Sequence, residues 1–100
     1  MSINVGNYTF EGPYASSSYL KDQSGVYVIL GNNGGNNWNV VDVGESSQLK
    51  TRVENHDRKM CWNGQKFANL HVAAIYANEN SRMAIESQLR TQFNPPCGQR

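Results

Sequence analysis

The sequence predicts a small α+β domain, a three-stranded antiparallel sheet flanked by helices with an N-terminal extension. Two apolar, β-branched runs stand on either side of a Gly/Asn loop, which is the pattern of a β-hairpin. A third run of the same character follows, and the segments after the second and third runs carry apolar residues at helical spacing. The chain of 100 residues allows a single domain, residues 1–100, with one modest core.

Residues 1–23 are the N-terminal extension, and their pattern is the least regular of the chain. NYTF at 7–10 is compatible with a short edge strand, and EGPY at 11–14 is typical of a turn. ASSSYLKDQS at 15–24 shows no clear period. We therefore expect the extension to lie across a core domain formed by residues 24–96.

The core begins with the hairpin. GVYVIL at 25–30 and WNVVDV at 38–43 are predicted strands, rich in β-branched and aromatic residues. GNNGGNN at 31–37 joins them with residues that tolerate positive φ. Gly44 is expected to end the second strand.

Two helices and a third strand complete the prediction. Ser46 or Ser47 caps a helix that runs to about Met60, because a side-chain oxygen there can accept a free backbone N–H. NLHVAAIY at 69–76 is the third strand. A second helix covers about 80–93 and stops before a Pro-Pro pair, which forbids further helix.

Composition excludes several classes of protein. No stretch approaches the roughly 20 apolar residues of a membrane span, and the start MSINVGNYTF lacks a secretion signal pattern. Cys61 and Cys97 stand alone, without the spacing of a zinc site or a disulfide framework. We expect two free thiols in a cytoplasmic protein that contacts no membrane.

Charge is divided unevenly along the chain. Residues 1–49 hold one lysine against four acidic residues, whereas residues 50–100 hold eight Lys/Arg against four acidic residues. Five of those bases fall between Lys50 and Lys66. The asymmetry indicates an anionic partner, and an ordinary solvated helix face is the alternative.

Arg52 and His56 stand at i and i+4 on the first predicted helix, so their side chains would emerge about 5–6 Å apart on one face. Arginine offers a planar fork of donors for phosphate oxygens, and histidine exchanges a proton near neutral pH. A solvated helix face is again the alternative. The position favours function, because a helix that starts just after a strand overlooks the strand ends.

Two further residues have a structural and a functional interpretation. Glu86 has Arg82 and Arg90 four residues away on either side, which allows a surface ion pair. A lone carboxylate also suits Mg²⁺, which keeps most of its waters. Tyr27, in the first strand, would ordinarily pack in the core with its hydroxyl bonded to a neighbour.

Three stretches combine these residues in one order: SGVYVIL at 24–30, VDVGESSQLKTR at 41–52 and AIESQLRTQFNPP at 84–96. Together they resemble the GIY-YIG nuclease superfamily over nearly the whole chain, with GVY for Gly-Ile-Tyr and DVG for Tyr-Ile-Gly. The catalytic arginine of the family falls on Arg52, and its metal-binding glutamate on Glu86. The predicted β-β-α-β-α order is also the core of the family.

The resemblance implies a metal-dependent endonuclease that hydrolyses DNA phosphodiesters with one Mg²⁺ or Mn²⁺ ion. Glu86 would hold the metal, and Arg52 would clamp an oxygen of the scissile phosphate. Tyr27 would orient or deprotonate the attacking water, and His56 would accept a proton from Tyr27 or from the water. The expected contacts to the DNA backbone come from Lys50, Arg58, Lys59 and Lys66.

Asp42 departs from the family pattern, because it stands where the second tyrosine belongs and an ionised carboxylate repels phosphate. Three outcomes are open. Asp42 is an extra metal ligand or water acceptor, or one of Tyr8, Tyr14 and Tyr19 supplies the missing hydroxyl. In the third outcome the site is catalytically impaired, and the domain binds nucleic acid without cutting it.

The resemblance leaves the target of the protein open. Family nucleases usually take their specificity from an attached DNA-binding domain, and 100 residues leave no room for one beside the core. A targeting protein, self-association or the structure of the DNA would then supply it. The alternatives to a nuclease are a catalytically impaired nucleic-acid-binding or adaptor module on the same fold, and a protein-interaction domain.

Overall fold

The structure is a computed structural model that describes residues 1–98. In this part of the chain the strands are β1 (Ser2–Val5), β2 (Tyr8–Tyr14), β3 (Gly25–Asn32), β4 (Asn39–Ser46) and β5 (Asn69–Tyr76). The α-helices are α1 (Leu49–Glu54), α2 (Lys59–Gly64) and α3 (Glu79–Phe93), and a short 3-10 turn covers Ser17–Tyr19.

Within residues 1–98 the strands form one five-stranded antiparallel sheet in the order β1-β2-β5-β3-β4. β3 pairs with β4 as the predicted hairpin and with β5 from Gly25 to Asn32. The α+β class and the hairpin are confirmed. The prediction of three strands is wrong, because the N-terminal extension adds β1 and β2 beside β5.

The residues expected to make a turn, 11–14, belong to β2. Phe10 and Gly12 are buried while Thr9 and Glu11 are exposed, which is the period-two pattern of a strand with one face on the core. Glu11 pairs with Ala74 of β5. The extension is therefore part of the sheet, not a segment laid across it.

The sheet separates two apolar clusters. Tyr27 and Ile29 of β3 face α1 and α2, where they pack with the buried side chain of Trp62. Val26 and Val28 face the opposite side, in the cluster that contains Leu89 of α3. Every residue of β3 is buried, as expected for a strand covered on both faces.

The helix predicted to run to about Met60 is interrupted. α1 ends at Glu54, and α2 starts only at Lys59. At the break, the imidazole Nδ1 of His56 accepts the backbone N–H of Arg58 at 3.0 Å. Such a side-chain-to-backbone bond competes with the helical ladder, and a hydrogen bond between Nε2 and Tyr27 Oη holds the ring in this position, so one helix becomes two. His56 consequently turns into the protein, and its side chain is fully buried.

Strand β4 lies at the edge of the sheet, and the segment after α3 covers it. The backbone N–H of Cys97 donates to Val41 O at 3.1 Å, so one backbone carbonyl of this edge strand has a donor from outside the sheet. Cys97 also forms a disulfide with Cys61 of α2, with the Cα atoms 5.8 Å apart. The prediction of two free thiols is wrong, since spacing in the sequence does not show whether Cys61 and Cys97 lie close together in the fold. No helix among the described residues is long and apolar enough to cross a membrane.

Candidate functional site

Tyr27 and Gly44 face each other on the paired strands β3 and β4. A Cβ placed at Gly44 would collide with the hydroxyl and ring of Tyr27. Gly44 was expected to end β4, but the strand continues to Ser46. The glycine is required because the phenol ring lies directly over its Cα, so its role is to seat Tyr27.

His56 meets the phenol from the break between α1 and α2. Its Nε2 is hydrogen-bonded to Tyr27 Oη, and its Nδ1 accepts from Arg58 N. The ring proton therefore sits on Nε2 and is donated to the phenol oxygen. Burial and the charges of Arg58 and Arg52 lower the pKa of His56 to about 4, so the ring is neutral at pH 7.

Nδ1 of His56 also lies 3.2 Å from the carboxylate of Asp57. The contact is not an ion pair at neutral pH, because the ring is uncharged and Nδ1 carries no proton. Asp57 and Asp42 favour the charged ring, but burial of the ring, together with the charges of Arg58 and Arg52, outweighs them and lowers the pKa of His56. In this state His56 anchors Tyr27 as a hydrogen-bond donor.

Arg58, expected to contact DNA backbone, is the second donor to the phenol. Its Nη2 lies 3.2 Å from Tyr27 Oη. Burial and the charge of Asp42 raise the pKa of Tyr27 above its ordinary value, and Arg58 and Arg52 oppose the shift. Tyr27 is therefore a neutral phenol whose oxygen accepts two N–H groups, so its own proton points away from both donors.

Asp42 is fully buried, and its carboxylate accepts hydrogen bonds from several described groups. Oδ2 accepts from Arg58 Nε at 2.8 Å and Trp62 Nε1 at 2.7 Å. Oδ1 accepts from Arg90 Nη2 at 2.7 Å, Val43 N at 2.8 Å and Arg58 Nη2 at 3.3 Å. Two guanidinium groups thus neutralise the acid, and an incoming metal ion or water would have to displace one of these donors.

Glu86, the predicted metal ligand, pairs with Arg90 at 3.1 Å and is largely buried. Arg82, the other predicted partner, binds Glu45 at 2.6 Å. Among residues 1–98, no group of three His, Cys, Asp or Glu residues is arranged to hold a metal ion. Mg²⁺ nonetheless needs only one or two protein ligands, and a carboxylate can serve arginine and a metal together because its oxygens offer about four lone-pair sites. A magnesium ion at Glu86 would therefore have to share the carboxylate with Arg90.

Arg52 lies on α1 with its side chain 40% exposed, and its Nη2 is 3.4 Å from Asp57 Oδ1. The expectation that Arg52 and His56 share one helix face is wrong, because α1 ends before His56. The two residues are still near each other, since Arg52 Nη2 and His56 Nδ1 both lie close to Asp57 Oδ1, at 3.4 and 3.2 Å. Arg52 is therefore a solvent-facing cation on the His56 side of the site.

The remaining predicted site residues lie apart from the group formed by Tyr27, Asp42, His56, Arg58 and Arg90. Lys59 Nζ donates to Glu54 O at 2.6 Å on the exposed side of the α1–α2 break, and Lys66 is exposed after α2. Lys50 is half-buried on α1. None of the three tyrosines of the N-terminal extension hydrogen-bonds to Tyr27 or Asp42: Tyr8 bonds to Gln88, and Tyr14 stacks on Tyr19 with ring centroids 5.5 Å apart.

No known protein family, curated protein sequence or solved structure matches this chain. The arguments for its function therefore come from the residues of the cluster and from the motif resemblance. The cluster consists of Tyr27, Asp42, His56, Arg58 and Arg90, and we call it the phenol cluster.

Sequence reasoning missed the link between Asp42 and Arg58. A usable signal existed, because a buried acid needs donors and is rarely found without a cation. Arg58 and Trp62 stand four residues apart, so both can reach one carboxylate from a single helical turn. The sequence alone does not select Arg58 from the five bases between Lys50 and Lys66.

Proposed function

We propose that this protein is an endonuclease that hydrolyses DNA phosphodiester bonds with the help of a divalent metal ion. One observation supports the proposal above the others. Tyr27 and His56, which the motif resemblance selects from distant parts of the sequence, are in hydrogen-bond contact, with Arg58 on the same oxygen. Arg52 stands beside them as a solvent-facing cation able to meet a phosphate.

The geometry favours particular roles for the residues. The pKa of Tyr27 is raised and both N–H donors address its oxygen, so it serves better as a hydrogen-bond donor than as a base. His56 holds the phenol in place. Arg52 clamps a non-bridging oxygen as charge develops. A Mg²⁺ or Mn²⁺ ion, when held by Glu86, supplies charge neutralisation and a more acidic bound water.

Basic side chains around α1 and α2 suit the flanking DNA. Arg52 and Lys59 are on or beside the exposed side of these helices, and Lys66 follows α2. Contacts of this kind neutralise phosphates without reading bases, so binding should weaken steeply with salt and show little sequence preference. A targeting protein or self-association would then set the site of cleavage.

Nicking of supercoiled plasmid DNA tests the proposal. Wild type should nick in Mg²⁺ or Mn²⁺ and stop in EDTA, and Arg52→Ala and Glu86→Ala should lose nicking while circular dichroism shows an intact fold. Lys21→Gln, which removes an exposed charge to which the proposal gives no role, is the matched control. Wild-type nicking by both site variants would show that the site is wrongly assigned.

A second candidate function is binding of nucleic acid without cleavage. The observation that favours it is the engagement of both acids of the site, since Asp42 and Glu86 are each bound to Arg90. This candidate expects salt-dependent binding of DNA and no nicking with any divalent ion. Absence of DNA binding even at low salt would instead favour a protein-interaction domain.

A further inference from the structure

Asp42 and Arg58 form a side-on pair with a defined plane. Nε of Arg58 donates to Oδ2 at 2.8 Å, and Nη2 donates to Oδ1 at 3.3 Å. Trp62 Nε1 fixes the same Oδ2 at 2.7 Å, so the carboxylate cannot turn. Two parallel N–H···O bonds set the orientation of a guanidinium as well as its distance. The pair therefore determines where the remaining N–H groups of Arg58 point.

One of those remaining groups lies beside the phenol. The second N–H of Nη2 reaches Tyr27 Oη at 3.2 Å. No acceptor among residues 1–98 is hydrogen-bonded to Nη1, which carries two N–H groups, and the side chain of Arg58 is 29% exposed. An arginine with one edge fixed and the other edge unbonded within residues 1–98 is suited to bind a phosphate oxygen.

Arg90 provides the contrast, because it binds the same carboxylate and has no open edge. Its Nε donates to Glu86, and its Nη1 donates to the carbonyls of Cys97 and Gly98 at 3.4 and 2.8 Å. Its Nη2 donates to Asp42 at 2.7 Å and to a backbone carbonyl of β4. All its N–H groups have acceptors within the chain, so its role is to neutralise the acid.

We propose that Arg58 is a second clamp for the scissile phosphate and that Asp42 is the positioning residue that holds it against Tyr27, an inference that rests on the proposed function. The acid that replaces the family tyrosine then acts through the arginine. It places a cationic N–H donor next to the phenol, where an isolated carboxylate would repel the substrate. Arg90 pairs with both Asp42 and Glu86, so the four groups together carry no net charge, and what Arg58 offers to a phosphate is a directed N–H donor.

Arg58→Gln tests the clamp with two measurements. In plasmid nicking, the single-turnover rate should fall about 10²-fold, the usual loss when one donor to a developing oxyanion is removed. In EDTA, the slope of log affinity for a fluorescein-labelled DNA duplex against log salt should fall by about 0.9, the value for one lost phosphate contact. Lys21→Gln, the control, should change neither quantity.

Arg58→Lys separates charge from geometry. A lysine keeps the charge but cannot pair side-on with Asp42 and reach a phosphate with a fixed open edge. The salt slope should return to the wild-type value while the nicking rate stays at least tenfold low. Recovery of both quantities would show that any cation suffices and would overturn the role given to the side-on geometry.

Asp42→Asn, alone and combined with Arg58→Gln, tests the positioning role. If Asp42 acts through Arg58, its substitution slows nicking in the wild-type background and causes no further loss in the Arg58→Gln background. A purely structural role would lower the thermal midpoint in both backgrounds and add its loss of rate in both. If Asp42→Asn does not fold, the two Arg58 variants decide.

The outcomes separate this inference from the proposed function. Wild-type nicking together with full rate and full salt slope in Arg58→Gln overturns the clamp and leaves the nuclease intact. Absence of nicking by wild type with either metal overturns the proposed function. In that case the salt slope still tests whether Arg58 contacts a phosphate, and an unchanged slope overturns the clamp too.

Discussion

Reduction of the bond between Cys61 and Cys97 should destabilise the fold by about 4 kcal/mol. The two cysteines are 36 residues apart, so the bond closes a loop that contains the later part of α2, β5 and α3. In the chain-entropy relation, a loop of about 36 residues removes about 13 cal/mol/K from the unfolded ensemble, which is about 4 kcal/mol at 25 °C. Small domains have about 5–15 kcal/mol in total, so the loss would be a large fraction.

The bond also fixes the segment that supports the phenol cluster. Cys97 and Gly98 supply the two carbonyl acceptors of Arg90 Nη1, and Arg90 holds Asp42. Reduction should therefore loosen the site before it unfolds the domain. Amide exchange of Cys97 and its neighbours should accelerate more than exchange in β3, an interior strand paired on both sides.

Urea denaturation with and without a reducing agent measures the effect. The Cys61→Ser/Cys97→Ser variant is the control, because it should match the reduced wild type and no longer respond to the reducing agent. A difference below about 1 kcal/mol between oxidised and reduced protein, at equal m-values, would refute the loop-entropy reasoning. A large difference in m-value would instead place the effect in the compactness of the unfolded state.

Two further predictions concern Gly44, which makes room for the ring of Tyr27, and His56, which is hydrogen-bonded to its hydroxyl. Gly44→Ala should cost about 1–3 kcal/mol or more, because the new Cβ collides with Tyr27. Gly64→Ala, where nothing lies within 4 Å, should be neutral or slightly stabilising in the same melting experiment. Stability should also fall as pH drops from about 6.5 towards 4, because the unfolded chain protonates His56, whose folded pKa is about 4, before the folded chain does. The fall of the pKa from 6.5 to about 4 makes the loss on the order of 3 kcal/mol at most, and His56→Gln should remove this part of the pH dependence.

The core strands could be predicted because their signals are local. β3 and β4 are continuous β-branched runs around a Gly/Asn loop, and α3 ends where two prolines follow. β2 could not be identified with the same certainty, because its ladder depends on pairs such as Glu11 with Ala74, far away in sequence. The break after α1 was missed for a similar reason. His56 leaves the helix to reach Tyr27, and that attraction is tertiary.

The residues of the site divide in the same way, into those with a signal in the sequence and those that only the fold brings together. Tyr27, Arg52, His56 and Glu86 were selected by motif spacing, which is a property of the sequence. The partner of Asp42 was not, because Arg58 reaches it only after the helix has broken and α2 has turned towards β4. Only a three-dimensional arrangement could show that the acid is neutralised from both sides of the sheet edge, by Arg58 and by Arg90.

Asp42→Tyr, which restores the family residue, should therefore damage the protein. The buried carboxylate is the counter-ion of Arg58 and Arg90, and removal of one partner of a buried pair typically costs about 3–5 kcal/mol. A tyrosine is also larger than the fully buried aspartate that it would replace. We expect a lower urea midpoint and no gain in nicking, with Lys21→Gln as control. A faster rate in Asp42→Tyr would contradict the positioning role, because it would show that the site lacks a phenol and does not use the acid.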